Sequence, residues 1–433
     1  MVSAGTALVL SIAAATSASA ADTGRNVDVL HYSVNLSPDM NLHQVSGQVT
    51  VTLQGLDRPT SELRLDAGDL QVSEVLGDGL PLTYTKADHS LSIVLSRPLG
   101  VGEVRTISIS YRGSPRYGLE FHPERGEIYT VFSTSQWMPC VDAPSERATL
   151  ELVVTLPAGM KAVGPGLELS PRHDDPVYRW RLDTPMPSYL YGFAAGHYNE
   201  ISQKGSGFTL RYLSTDRSPR QLQRIFKDSA DILQFFGNRS GLRFRDTYTQ
   251  ALVTKTVGQE MAGFSLLPEA YGLQVLDDPA NVTLMAHEAA HQWWGNLLTS
   301  RDWRHFWLNE GFATFMAAAY LEHRYGAAAY ARQVDSWRRR MEKLRADGKD
   351  KPLVYADWNS PTADDRAVVY QKGAYVLHLL RQELGDKAFW RGIRQYTEKH
   401  AGQSVVTEDF KTAMQRASGK DLTEFFHKWV LGT

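Results

Sequence analysis

The stretch TLMAHEAAHQWWGN, Thr283 to Asn296, carries His287, Glu288 and His291 in the order H-E-x-x-H. On an α-helix, residues four apart share a face, so both imidazoles can address one metal ion. Glu288, next to His287, can reach a water activated by that ion and serve as general base. Asp278, Pro279 and Asn281 supply start signals before an apolar run without internal proline, so a helix is expected over the motif. A third donor, Glu310, follows in WLNEGFA (Trp307–Ala313) on what reads as the next helix. Two imidazole nitrogens and one carboxylate form a hydrolytic site for a single Zn2+ that keeps one position for water. In such a site Glu288 would take the water's proton and later deliver it to a leaving amine.

Hydrolysis through a tetrahedral species also needs an oxyanion donor, and a tyrosine hydroxyl can supply one. Tyr370 and Tyr375, in VVYQKGAYVL, both qualify, and spacing does not choose between them. Glu260 is an acidic residue in a small, apolar segment beside Gly258, Ala262 and Gly263. Such glycines mark close backbone approach, as in a strand lining a cleft. A carboxylate there would bind a free α-ammonium group and make the enzyme an exopeptidase; a salt bridge is the alternative, and the residues alone do not decide. Cys140 reads as a small buried residue rather than a catalytic thiol. Arg338-Arg339-Arg340, with Lys343 and Arg345, reads as a solvated helix face.

These side chains need a scaffold, and 433 residues suffice for two or three domains. From Asn26 to about Ser214 apolar residues alternate, as at Leu30, Tyr32, Val34 and Leu36 or at Val49, Val51 and Leu53. Glycine-rich turns punctuate the runs, which predicts an N-terminal antiparallel β saddle or sandwich. The period changes after Pro219, so a boundary is expected near Thr215, dividing 21–214 from 215–433. Beyond Val282 helices are predicted over the H-E-x-x-H segment, Glu310–Tyr325, Ala328–Arg345, Val368–Leu384, Lys387–His400 and Thr407–Ala417. The expected fold class is therefore α+β.

Composition narrows the partners. The chain has 46 basic and 48 acidic residues, so nothing favours nucleic acid or a charged membrane surface, and peptides are the expected substrates. One cysteine excludes an internal disulfide framework. Leu8 to Ala15 is apolar and Ala18-Ser19-Ala20 matches a cleavage site, so residues 1–20 read as an export signal, although no Lys or Arg precedes the apolar core. A secreted or periplasmic location is therefore expected. No later stretch has the length of a transmembrane helix. Oligomeric state stays open, a monomer being compatible with this composition.

Taken together, HEAAHQWWGNLLTSRDW (His287–Trp303), WLNEGFATF (Trp307–Phe315) and YQKGAYVL (Tyr370–Leu377) resemble the aminopeptidase N family of zinc gluzincins, which includes leukotriene hydrolase. MPCVDAP (Met138–Pro144) is similar to the family's N-terminal P-C-x-D-x-P segment. The resemblance implies a β saddle packed on a thermolysin-like catalytic domain. It selects Tyr370, which precedes the K-G pair, as the transition-state tyrosine. It also implies that Glu260 and Gly263, spaced E-x-x-G as in G-x-M-E-N-x-G, bind the substrate's amino terminus. The chain departs from that motif at Gln259 and Met261, lacks an arginine pair before Pro139, and stops at Thr433 without the large helical C-terminal domain of many relatives. A more open cleft is expected from that last difference. The leading expectation is a zinc aminopeptidase; a thermolysin-like endopeptidase and a catalytically silent peptide-binding module are the alternatives.

Overall fold

Trp180, Leu152, Val34, Val49, Ile109 and Val75 stand opposite one another across six neighbouring strands, all buried, and this apolar row is the spine of the first unit. The computed structural model describes residues 26–170, 176–255, 258–355 and 361–432, so the expected export signal lies outside the described residues. The row belongs to an eight-stranded sheet ordered Leu167–Glu168, Val177–Met186, Ala148–Thr155, Val27–Asp39, Gln44–Gly55, Val104–Gly113, Gln71–Gly77 and Leu80–Pro81. Alternation puts Val27 and Val29 inside and, after a register shift before His31, Tyr32, Val34 and Leu36. Among the described strands of this sheet the expected antiparallel pattern holds with one exception. Val27–Asp39 runs parallel to Ala148–Thr155, with His31 opposite Thr149, because the chain completes several hairpins before returning in the same direction. Smaller sheets of three and four strands, the latter containing Glu127–Thr130 and Ala194–Gly196, close the unit over the same core.

The second unit is built on a five-stranded sheet ordered Asn199–Lys204, Thr209–Ser214, Thr247–Val253, Phe264–Pro268 and Gln259–Met261. Its first two strands precede the boundary expected near Thr215, yet Thr209–Ser214 pairs in parallel with Thr247–Val253, so by sheet membership both strands belong to the second unit. The period-two pattern reads alike in both sheets and hides this division. Gln259–Met261 at one edge and Asn199–Lys204 at the other pair antiparallel with their neighbours.

Helices pack on this sheet around Trp307–Tyr325, which is buried on every side from Trp307 to Ala313 and again from Phe315 to Leu321. A helix apolar all round belongs in an interior, and Ala317, Ala318 and Ala319 let its neighbours approach closely. Those neighbours include Thr283–Ala290, Ala327–Ala346 and Gly373–Leu384. Thus the α+β architecture read from the residues is the one observed. No helix among the described residues is long and apolar enough to cross a membrane. The two units are pinned together by Arg147, whose guanidinium donates to Thr299 Oγ1 at 2.7 Å and to the Asn296 carbonyl at 3.2 Å.

Candidate active site

The helix bearing His287 and Glu288 runs only from Thr283 to Ala290, short of the predicted end at Asn296. Val282 precedes it without a side-chain cap, and Asp278 instead closes the preceding turn by accepting from the Ala280 amide. At the other end the chain leaves the helix at His291 and reverses through Gly295, whose φ of 138° is a region that favours glycine. A Cβ on Gly295 would stand 2.7 Å from His291 Nδ1. The reversal brings the Trp294 carbonyl to 2.9 Å from that nitrogen. His291 therefore donates from Nδ1, which turns Nε2 toward the other donors. The tryptophans read as helix continuation, but they are the start of the turn that orients the histidine.

Three donor atoms converge. His287 Nε2 lies 3.1 Å from both His291 Nε2 and Glu310 Oε2, and the last two are 3.4 Å apart. Tetrahedral zinc with bonds of about 2.0–2.1 Å sets its ligand atoms roughly 3.3–3.4 Å from one another, so the donor set and its spacing fit that ion. The electrostatics agree. Burial alone would lower the pKa of His291, but the carboxylates of Glu260 and Glu310 reverse this and push it up to about 10. Burial would raise Glu310, yet the facing histidines hold it far below the usual carboxylate range. A pocket with this much negative charge favours a cation at its centre.

Glu288 projects from the same helix into the same space, buried, and one carboxylate oxygen each from Glu260 and Glu288 lies within 4.8 Å of the other and of a His291 nitrogen. Burial raises both carboxyls and the neighbouring like charges add to it; Glu260 is pushed up to about 7. Room for Glu288 comes from Gly258, with φ of 126°, where a Cβ would meet Glu288 Oε1 at 2.5 Å.

Glu260 is fixed by its strand and by the turn after it. The Met261 carbonyl accepts from Gln292 Nε2 at 3.0 Å and from Asn296 Nδ2 at 2.9 Å. The Ala262 amide donates to the Leu190 carbonyl at 3.1 Å, in the first unit. Gly263 donates its amide to Gln292 Oε1 at 3.1 Å, and its carbonyl accepts from Thr249 at 3.1 Å. Both backbone groups of Gly263 are thus engaged within the protein, and its φ of 83° makes it the turn residue joining two strands. Strand alternation puts Gln259 and Met261 on the face opposite Glu260, where Met261 packs with Tyr129 and Phe264. Both motif departures thus fall away from the donor cluster. Sequence reasoning missed Gln292 and Asn296; their position directly after the second histidine, on a turn, was the signal that could have found them.

Tyr370 and Tyr375 separate cleanly. The Tyr370 ring stacks on the His287 imidazole with centroids 5.8 Å apart and planes 8° off parallel, whereas Tyr375 lies beside His378. Tyr370 rides on a π-turn, Val368–Lys372, inserted between two α-helical stretches. Burial first, then the charges of Glu310 and Glu260, raise its pKa well above the ordinary phenol value, so its oxygen carries a proton. Beside Glu310, Asn309 fixes the helix start by accepting from the Ser300 amide at 3.0 Å and donating to the Tyr189 hydroxyl at 3.2 Å. A wide groove lined by Trp180, Arg211, Phe244 and Trp293 borders the turn at Ala262 and Gly263, but none of His287, Glu288, His291, Glu310 or Tyr370 lines it.

Comparison with known proteins accounts for both units. The family model described as Peptidase M1 N-terminal domain matches residues 29–190, and that described as Peptidase family M1 domain matches residues 265–429. Aminopeptidase N of Lactococcus lactis subsp. lactis is 27% identical over 435 residues, covering 92% of this chain and 50% of that protein. Leukotriene A-4 hydrolase of Xenopus laevis is 25% identical over 417 residues, covering 89% and 67%. The chain spans about half the length of the first curated relatives it matches. Among solved structures, an M1 zinc metallopeptidase from Deinococcus radiodurans superposes with a TM-score of 0.79 at 24% identity, covering 94% of each chain. Since two models of one family take in both units, the chain belongs to peptidase family M1.

Proposed function

We propose that the protein is a zinc-dependent aminopeptidase that releases residues from the free amino terminus of peptides. His287, His291 and Glu310 would hold the ion. When bound, zinc supplies Lewis-acid polarisation and lowers the pKa of water to about 7. Glu288 accepts a proton from the attacking water and returns it to the departing amine. Tyr370 donates its hydroxyl proton as a hydrogen bond to the oxyanion that develops on the scissile carbonyl. Glu260 receives the substrate's α-ammonium group, which neutralises one of three crowded carboxylates.

The observation that carries this reading is the convergence of Glu260 with Glu288 and His291 within one 4.8 Å cluster, deep in the second unit. An amino terminus docked on Glu260 leaves its first carbonyl close to the general base. Further support comes from a two-domain M1 zinc metallopeptidase solved with L-tryptophan and with L-arginine, each a free amino acid, and from the aminopeptidase names of the relatives. Leu8–Ala15 and Ala18-Ser19-Ala20 support export of the protein.

The test is a matched pair of peptides, one with a free amino terminus and one N-acetylated, assayed with and without a zinc chelator. The free peptide alone should be cleaved, only with metal present, and Glu260→Gln should raise its KM. Equal cleavage of the acetylated twin would make the protein an endopeptidase instead, and no turnover of either would favour a silent binding module.

A further inference from the structure

Lys372 closes the π-turn that carries Tyr370, and its side chain points inward, only 5% of the residue remaining exposed. Its ammonium donates to Asp350 Oδ1 at 2.6 Å and to the Lys351 carbonyl at 2.5 Å. Asp350 and Lys351 belong to the loop after the helix Ala327–Ala346. That loop also grips the other flank of the turn, because Lys351 pairs with Asp365 and Lys349 with Asp364, both at 2.6 Å, at the start of the helix leading into it. Lys349 is exposed and the Lys351–Asp365 pair only half-buried, so these two pairs contribute little each. The buried pair differs, because breaking it costs hydrogen bonds that water replaces poorly.

The need for such a tether comes from the turn itself. The Gly373 amide reaches back five residues to the Val368 carbonyl, a π hydrogen bond in place of the α pattern. A π-turn accommodates one residue more than an α-turn, so its collapse would rotate one flank against the other by about 100° and swing Tyr370 off His287. We propose that Lys372, locked to Asp350 and the Lys351 carbonyl, is a positioning residue that holds the π register and thereby aims the Tyr370 hydroxyl at the reacting carbonyl. The inference rests on the oxyanion role given to Tyr370.

A double-mutant cycle tests it. In Lys372→Met, Asp350 keeps its pairing with Arg345 at 3.2 Å, so no buried charge is stranded. Lys372→Met should lower kcat by about tenfold with little change in KM, as loss of a transition-state contact does. Bound zinc, measured by metal analysis, should be unchanged. In a Tyr370→Phe background the same substitution should change kcat by less than about twofold, because the hydroxyl it serves is already gone. Asp350→Asn, at a half-buried loop position, should reproduce the pattern more weakly should the first variant fold poorly. Equal losses from Lys372→Met in both backgrounds, or none in the first, would overturn the latch. A Tyr370→Phe enzyme with undiminished kcat would instead overturn the role of Tyr370.

Discussion

Gly311 and Gly373 meet backbone to backbone: a Cβ on either would lie 2.9 Å from the other's Cα. One glycine follows Glu310 and the other directly follows the Tyr370 turn, so this crossing sets how far the carboxylate stands from the phenol. Gly311→Ala and Gly373→Ala must push the two helices apart. Each is expected to destabilise the protein by about 1–3 kcal/mol, the usual cost of overpacking, and to reduce kcat. Urea unfolding alongside steady-state kinetics checks this; unaltered stability in both variants would show that the helices yield freely.

Gly258→Ala should act on chemistry rather than metal binding. The new methyl group competes for the space of Glu288 Oε1, while His287, His291 and Glu310 are untouched. Zinc content by metal analysis is expected to stay at the wild-type level while kcat drops by roughly 10²-fold, the scale of losing a well-placed general base. A variant that loses zinc and activity together would contradict this assignment of space.

Gln292→Ala removes two hydrogen bonds at once from the turn behind Glu260. The Met261 carbonyl keeps Asn296, but the Gly263 amide loses its acceptor, at a cost of about 1–3 kcal/mol. The expected outcome is a higher KM for free-amino peptides and weaker discrimination against acetylated ones. Unchanged discrimination would mean that the strand holds Glu260 unaided.

Metal removal should cost stability as well as activity. Without an ion, three carboxylates and two imidazoles are left to balance one another in a buried pocket. A chelator-stripped sample should melt lower than the zinc-loaded one, and the gap should widen with free zinc as ligand linkage requires, by about 2.7 kcal/mol at a hundredfold excess over Kd. Calorimetry with a zinc titration measures this, and a melting temperature indifferent to zinc would remove the metal from the folded state.

How far the residues alone could be read depended on distance along the chain. His287, Glu288 and His291 are a local pattern, and any helix brings them together; Glu310 follows within a helix that also announces itself. Tyr370 was ambiguous with Tyr375 because their ranking rests on a π-turn that packing imposes and no short spacing reveals. Gly263 signals close approach without saying to what, and within the protein its amide meets Gln292. The early helix end at Ala290 escaped notice because Trp293 and Trp294 suit a helix in isolation, while tertiary contacts make them a turn: Trp293 Nε1 donates to the Leu242 carbonyl and Trp294 Nε1 to Thr397. Strands Asn199–Lys204 and Thr209–Ser214 carry the same alternation as those of the first unit, so only pairing could reveal which sheet they join.

The parallel pairing inside the eight-stranded sheet bears on how the protein is made. His31 and its partner Thr149 are 118 residues apart. At about 5–20 residues per second, the strand Val27–Asp39 waits roughly 6–24 s after synthesis for that neighbour, one edge bare and one face apolar. Hairpins with Gln44–Gly55 form early, but the sheet cannot close, and contacts this distant slow folding. An open edge of this kind is a surface for aggregation or for chaperone capture. Substitutions that weaken Val34 against Leu152 should therefore reduce the yield of folded protein at birth before they alter any step at the zinc site.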